Sequence, residues 1–193
     1  MILSTEQLVA IAANYFRPDK EYNFRLENSP EADRFQARWA QEIKKMDRWK
    51  DCLRALGQEL PSFRIGNATA TSDSCFRCSV YAVNDTPRPP LRWAVVGCLS
   101  ILAPVYTVYG VQYEYSVGER RERIRDTVFF EPLPPEMRVP ADVVSRRIEA
   151  TFEVSRLPRE IAEIPIPLFV EPQEPPDTRL FHALFTSVPE CVP

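Results

Sequence analysis

Cys75-Phe76-Arg77-Cys78 is the one spacing in this chain that matches a familiar chemical constellation, the C-x-x-C pair of zinc sites and thiol redox centres. A structural zinc needs four soft ligands in tetrahedral array. Only Cys52, Cys98, Cys191 and His182 remain to complete such a set, and none of them forms a second close pair. On a regular strand, positions three apart also point to opposite faces, so the two thiols read as small strand residues, with no metal and no cofactor expected. His182 is the sole histidine and lies in the apolar run Leu180-Phe181-His182-Ala183-Leu184. A catalytic base requires a nucleophile and an orienting carboxylate, and no nucleophile motif occurs. A hydrogen-bonded structural histidine is the favoured reading, and no catalytic residue is assigned. The five glycines are scattered singly, which leaves no glycine-rich loop to cradle a phosphate.

Two charged stretches remain. Glu119-Arg120-Arg121-Glu122-Arg123 with Arg125 offers guanidinium groups at a hairpin tip, and arginines there can grip phosphates. The interleaved glutamates and missing aromatics favour a solvated turn, so no nucleic-acid partner is expected. Glu160, Glu163, Glu171, Glu174 and Asp177 punctuate a proline-bracketed stretch. A stiff acidic arm of this kind suits a cationic cleft on another protein, where charge complementarity speeds association. Tyr109 and Tyr113 share one face of a strand, a face that reads either as core or as an interface. Those seven residues form the candidate partner-binding set.

The bulk composition sets the frame. With 193 residues, 45% hydrophobic and 26% charged, the chain is an ordinary globular sequence expected to form a single domain. Its 19 prolines against 5 glycines imply stiff connections that cost little entropy to order. The net charge of −3 comes from the last third, where 6 basic groups face 11 acidic ones. The first residues lack a basic leader pattern, and no stretch approaches the roughly 20 apolar residues of a membrane span. Five cysteines, an odd number, without a secretion signal point to reduced thiols and a cytoplasmic location.

The elements that position these residues follow from periodicity. Ser4 and Gln7 form a capping box for a helix over residues 6–15. Ser29 and Pro30 open a second helix with Phe35, Trp39, Ile43, Met46, Trp49, Leu53 and Leu56 on one face, running about seven turns to Gly57. Residues 63–71, 75–83, 91–102, 105–116 and 125–130 read as strands separated by turn signals such as residues 84–87, and short connections make them an antiparallel meander. A third helix is expected after Pro140, ended by Pro158, and a last strand over residues 179–186. The fold class is α+β: a mostly antiparallel sheet of about five to seven strands, with two N-terminal helices and one later helix packed on it.

The opening Met1-Ile2-Leu3-Ser4-Thr5, the helix from Trp39 to Leu56 running into Gly57-Gln58-Glu59-Leu60-Pro61, and the close through Glu171-Pro172-Gln173-Glu174-Pro175-Pro176-Asp177-Thr178 and Leu180-Phe181-His182-Ala183-Leu184-Phe185 carry a whole-chain resemblance. In these stretches the chain resembles immunity proteins of bacterial polymorphic toxin systems, of the myxobacterial kin-discrimination type. The resemblance implies a protein, not an enzyme, that neutralises a cognate protein toxin, often a nuclease, by blocking its active region. The alternatives are a structural or assembly subunit and an enzyme of unfamiliar type working through carboxylates.

Overall fold

The computed structural model describes residues 3–18, 29–82, 91–116 and 122–192, and in it Ser4 opens the first helix as the sequence requires. Its hydroxyl accepts from the Gln7 N–H while the Gln7 side-chain oxygen accepts from the Ser4 N–H. Two orphan donors of α1 (Thr5–Ala13) are thereby satisfied. Ser29 caps α2 (Pro30–Glu42) by accepting from Ala32 N–H at 3.1 Å, with Pro30 in the first turn where its missing N–H costs nothing.

The single long helix expected after Ser29 is interrupted. A 3-10 turn, Ile43–Lys45, separates α2 from α3 (Met46–Glu59), and Gly57 lies inside α3 instead of past its end. The tighter winding of a 3-10 turn shifts the apolar stripe around the axis. Trp39, Trp49, Cys52 and Leu56 are buried, whereas Ile43 is nearly half exposed at the junction.

Five strands follow in sequential order as an antiparallel meander: β1 (Phe63–Asn67), β2 (Cys75–Ala82), β3 (Leu91–Ser100), β4 (Val105–Tyr115) and β5 (Arg123–Phe129). The turn read at residues 84–87 and the arginines at 120–121 lie outside the described residues. Next, α4 (Pro135–Thr151) begins earlier than the sequence suggested and carries Pro140 within it. Proline there removes one intrahelical hydrogen bond, but its ring is buried with Met137, Val144 and Ile148. Two-residue β6 (Ser155–Arg156) then pairs in parallel with the start of β4, beyond the reach of β5.

The remaining elements are α5 (Arg159–Ala162) and α6 (Leu180–Leu184). The second corrects the strand expected over residues 179–186. A continuous apolar run has no period with which to choose between strand and helix, and here Leu180, Phe181, Ala183, Leu184 and Phe185 are all buried, which an alternating, half-buried strand cannot achieve.

Both faces of the sheet are covered, so the helices on one face are only half of the packing. On that face Phe76 stacks on Trp49 at 5.7 Å, Tyr106 donates its hydroxyl hydrogen to Glu149 of α4 at 2.6 Å, and Gly97 and Gly110 admit α4. On the other face residues 179–192 lie over Arg77, Tyr109 and Tyr113. This explains why residues 75–80 of β2 and 105–111 of β4 are buried without alternation.

The two close approaches differ in what they would tolerate. A methyl at Gly97 would fall 2.6 Å from Cγ1 of Val144 and 3.0 Å from Sγ of Cys78, whereas one at Gly110 would meet the thioether of Met137. Valine is stiff at χ1 and methionine is adaptable. Gly97→Ala is therefore expected to cost about 1–3 kcal/mol, an overpacking penalty. Gly110→Ala should cost under about 1 kcal/mol, because methionine yields and alanine reduces the freedom of the unfolded chain. Urea unfolding midpoints of the two variants check the ranking.

Candidate functional site

The acidic stretch is built as a fastened double turn. Pro165 and Arg179 form an antiparallel bridge through Ile166 N–H to Thr178 O at 3.0 Å and Leu180 N–H to Ile164 O at 2.9 Å. Within that clasp Val170 and Gln173 exchange N–H···O bonds of 3.1 and 2.7 Å, which sets Glu171 and Pro172 at the tip of a tight turn. A second turn closes where the N–H groups of Asp177 and Thr178 both reach Glu174 O. Three further bonds tie the arm down: Phe169 N–H to Arg17 O, the Gln173 side chain to Ser187 O, and the Ser187 hydroxyl to Glu171 O. Backbone donors and acceptors that would otherwise be loop groups are paired, so the arm has little freedom left to lose on binding.

All five acidic candidates are exposed: Glu160 and Glu163 at α5, Glu171, Glu174 and Asp177 on the double turn. Glu163 is paired with Arg159 at 2.7 Å. Among the described residues no salt bridge engages Glu160, Glu171 or Asp177. Tyr109 and Tyr113 belong elsewhere, and their place in a binding surface is corrected. Their side chains are 0% and 8% exposed, and their hydroxyls donate to Pro189 O and Glu190 O beneath the covering segment. Tyr109 also packs on Phe130 and Phe181, each at 5.7 Å. Buried tyrosines whose hydroxyls are satisfied are core, and burial pushes both phenols up, Tyr113 to about 12.

The C-x-x-C pair is divided by the sheet. Cys78 lies on the helical face beside Gly97, and Cys75 lies on the other face beside Cys98. Burial raises both thiols, Cys78 to about 12, which disfavours thiolate exchange, and on opposite faces of the sheet the pair is not placed to share one metal ion. Among the described residues no group of three or more His, Cys, Asp or Glu side chains is placed to hold a metal ion. Nor is any described helix long and apolar enough to cross a membrane.

Between the two cysteines, Arg77 is 5% exposed on the second face of the sheet. Its Nε donates to Ala68 O at 3.2 Å, one terminal nitrogen to the Thr186 hydroxyl at 3.3 Å, and the other stands 3.5 Å from the Asp73 carboxylate. Burial raises the Asp73 carboxyl above its ordinary range, opposed by the Arg77 charge and a hydrogen bond with Thr186. Asp73 forms part of the wall of a cavity of about 640 Å³ bounded by the end of α1, the first turns of α2, the tip of the acidic arm and residues 182–188. Neither Asp73 nor this cavity was marked by the sequence, since Thr71-Ser72-Asp73-Ser74 is an ordinary turn composition. The cavity exists only because segments far apart in sequence converge.

His182 stands between that cavity and a second, of about 510 Å³, floored by Phe130 and Phe181. Its Nδ1 accepts from Arg179 N–H at 3.0 Å, which leaves the proton on Nε2. Burial, aided by the charge of Arg179, lowers its pKa to about 4. A cap that accepts a backbone proton has to be neutral, so its structural role and its low basicity have one origin.

No family model, curated protein or solved structure matches this chain. The geometry is accordingly the basis for a functional reading.

A histidine held neutral in the fold but free to charge near 6.5 when unfolded makes the unfolded chain bind more protons between those values. His182 thus favours the fold fully above about pH 6.5, and that preference is lost as the pH falls toward about 4. As the sole histidine, its imidazole signal in an NMR titration should move with a midpoint near 4. In His182→Asn, whose side-chain oxygen can accept the same N–H, the decline of stability over this pH window should be shallower than in the unaltered protein.

Proposed function

We propose that this chain is an immunity protein that neutralises a cognate toxin domain by physical blockade. The observation that carries the reading is the fastened arm, which holds exposed Glu171, Glu174 and Asp177 on backbone hydrogen-bonded to itself and to the core, with exposed Glu160 on the adjoining α5. Fixed anions on a preorganised segment suit the basic active cleft of a nuclease-type toxin, because ordering costs are met in folding and opposite charge steers the encounter. Inhibition of this kind asks for no catalysis by the chain.

The test begins with the neighbouring genes: a modular toxin encoded immediately upstream would favour the reading, and co-expression with it is then scored by rescue of growth and by co-purification. Glu171→Lys, Glu174→Lys and Asp177→Lys combined should weaken binding at least about 10-fold and reduce its salt dependence, because long-range attraction is screened beyond about 8 Å at physiological ionic strength. The three side chains are exposed, so circular dichroism of the variant should match that of the unaltered protein. Unchanged toxin affinity would remove the arm from the interface.

A further inference from the structure

The cavity at the tip of the acidic arm has a composition that the blockade reading does not use. Five aromatic residues line it: half-buried Tyr15 and Phe16 just past α1, half-buried Phe35 from α2, buried Phe169 from the arm and buried Phe185 just past α6. Phe16 and Phe35 meet in a tilted pair with centroids 5.9 Å apart. Asp73 lies in the wall, 7% exposed, and Glu171 stands exposed at the arm's tip. Among the described lining residues there is no lysine or arginine, and the one histidine, His182, is neutral above about pH 4. At about 640 Å³ the space lies within the range of sites that enclose a small organic ligand.

From this we infer that the cavity binds a cation carried on an apolar stem, an alkylammonium or guanidinium group. Aromatic faces attract a desolvated cation through their quadrupoles, and the apolar stem gains by leaving water. Carboxylates then choose the sign of the charge. Asp73 already faces Arg77 and is hydrogen-bonded to Thr186, but the guanidinium is spread over Ala68 O and Thr186 as well and approaches Asp73 only to 3.5 Å, and a carboxylate with about four lone-pair sites keeps capacity for a further donor. Glu171 supplies an anion with no salt bridge to a described cation. An anionic guest would meet two carboxylates and no opposing charge on the described walls, and a neutral guest would leave the charge of Glu171 unused.

The inference does not rest on the toxin reading, since its test needs no partner protein. The probes are phenethylammonium and its neutral analogue 2-phenylethanol, titrated into the isotopically labelled protein and followed by amide chemical shifts. The ammonium should bind at least 10-fold more tightly than the alcohol and move signals of Tyr15, Phe35, Asp73 and His182. Glu171→Gln, an exposed change that the fold tolerates, should weaken the ammonium at least 3-fold and leave the alcohol unaffected. Phe35→Leu, on a half-buried wall position, should weaken both. Two further probes separate the sources of such a cation. Tighter binding of a capped Ala-Arg-Ala peptide than of agmatine assigns the cavity to a basic side chain of a protein partner, and the reverse order assigns it to a free amine. Equal binding of ammonium and alcohol, or the absence of cavity shifts with every cationic probe, overturns the inference.

Discussion

A buried guanidinium, alongside the Tyr109 and Tyr113 hydroxyls, joins the second face of the sheet to the segment that covers it. Arg77 projects from β2 into a region that water does not reach, and its partners Ala68, Asp73 and Thr186 come from the end of β1, the β1–β2 connection and the segment after α6. A charge at 5% exposure is costly unless its donors are matched. Every matching group is therefore constrained in position, and the geometry propagates outward. Asp73 O accepts from the Trp39 indole at 2.9 Å, and Ser74 N–H donates to Phe185 O at 2.8 Å. Through these bonds α2, the sheet and the covering layer share one fixed reference point.

The arm inherits its rigidity from that layer. Ser187, next to the Arg77 partner Thr186, holds the carbonyl oxygen of Glu171, and Gln173 returns a bond to Ser187. An exposed acidic turn is usually the softest part of a protein, yet this one is continuous through hydrogen bonds with the buried arginine. The polar network thus contributes specificity of position to a surface several bonds away. A segment held in this way has its ordering complete before any partner arrives.

Local chemistry in the sequence was legible wherever a residue's partner lay within a few positions. Ser4 with Gln7, Ser29 with Pro30, and the order of the five β-rich runs all translate directly into structure. The misreadings share a different origin. Ile43–Lys45 tightens where the apolar stripe would otherwise drift off the core, and the apolar residues of α6 carry no period at all. Pro140 is read as a helix start from its own chemistry, but burial against the core offsets the lost bond. Tyr109 and Tyr113 look like a presentable face because the segment that hides them comes much later in the chain. Asp73 and its cavity escape for the same reason, since the convergence of α1, α2 and the arm leaves no mark in spacing. The exposed acidic residues were legible as a charged arm, and the fastening that gives them fixed positions was not.

The dependence of the second sheet face on residues 179–192 also has a temporal side. The meander leaves the ribosome well before the segment that covers it, and chains begin to organise from their earlier-made parts. Through that interval Arg77, Tyr109 and the thiols of Cys75 and Cys98 have only half of their final surroundings. A half-covered sheet exposes apolar surface and invites association with other chains. The nascent protein is for that time a natural client for a chaperone, and a premature stop before residue 179 would produce an aggregation-prone sheet instead of a smaller working protein.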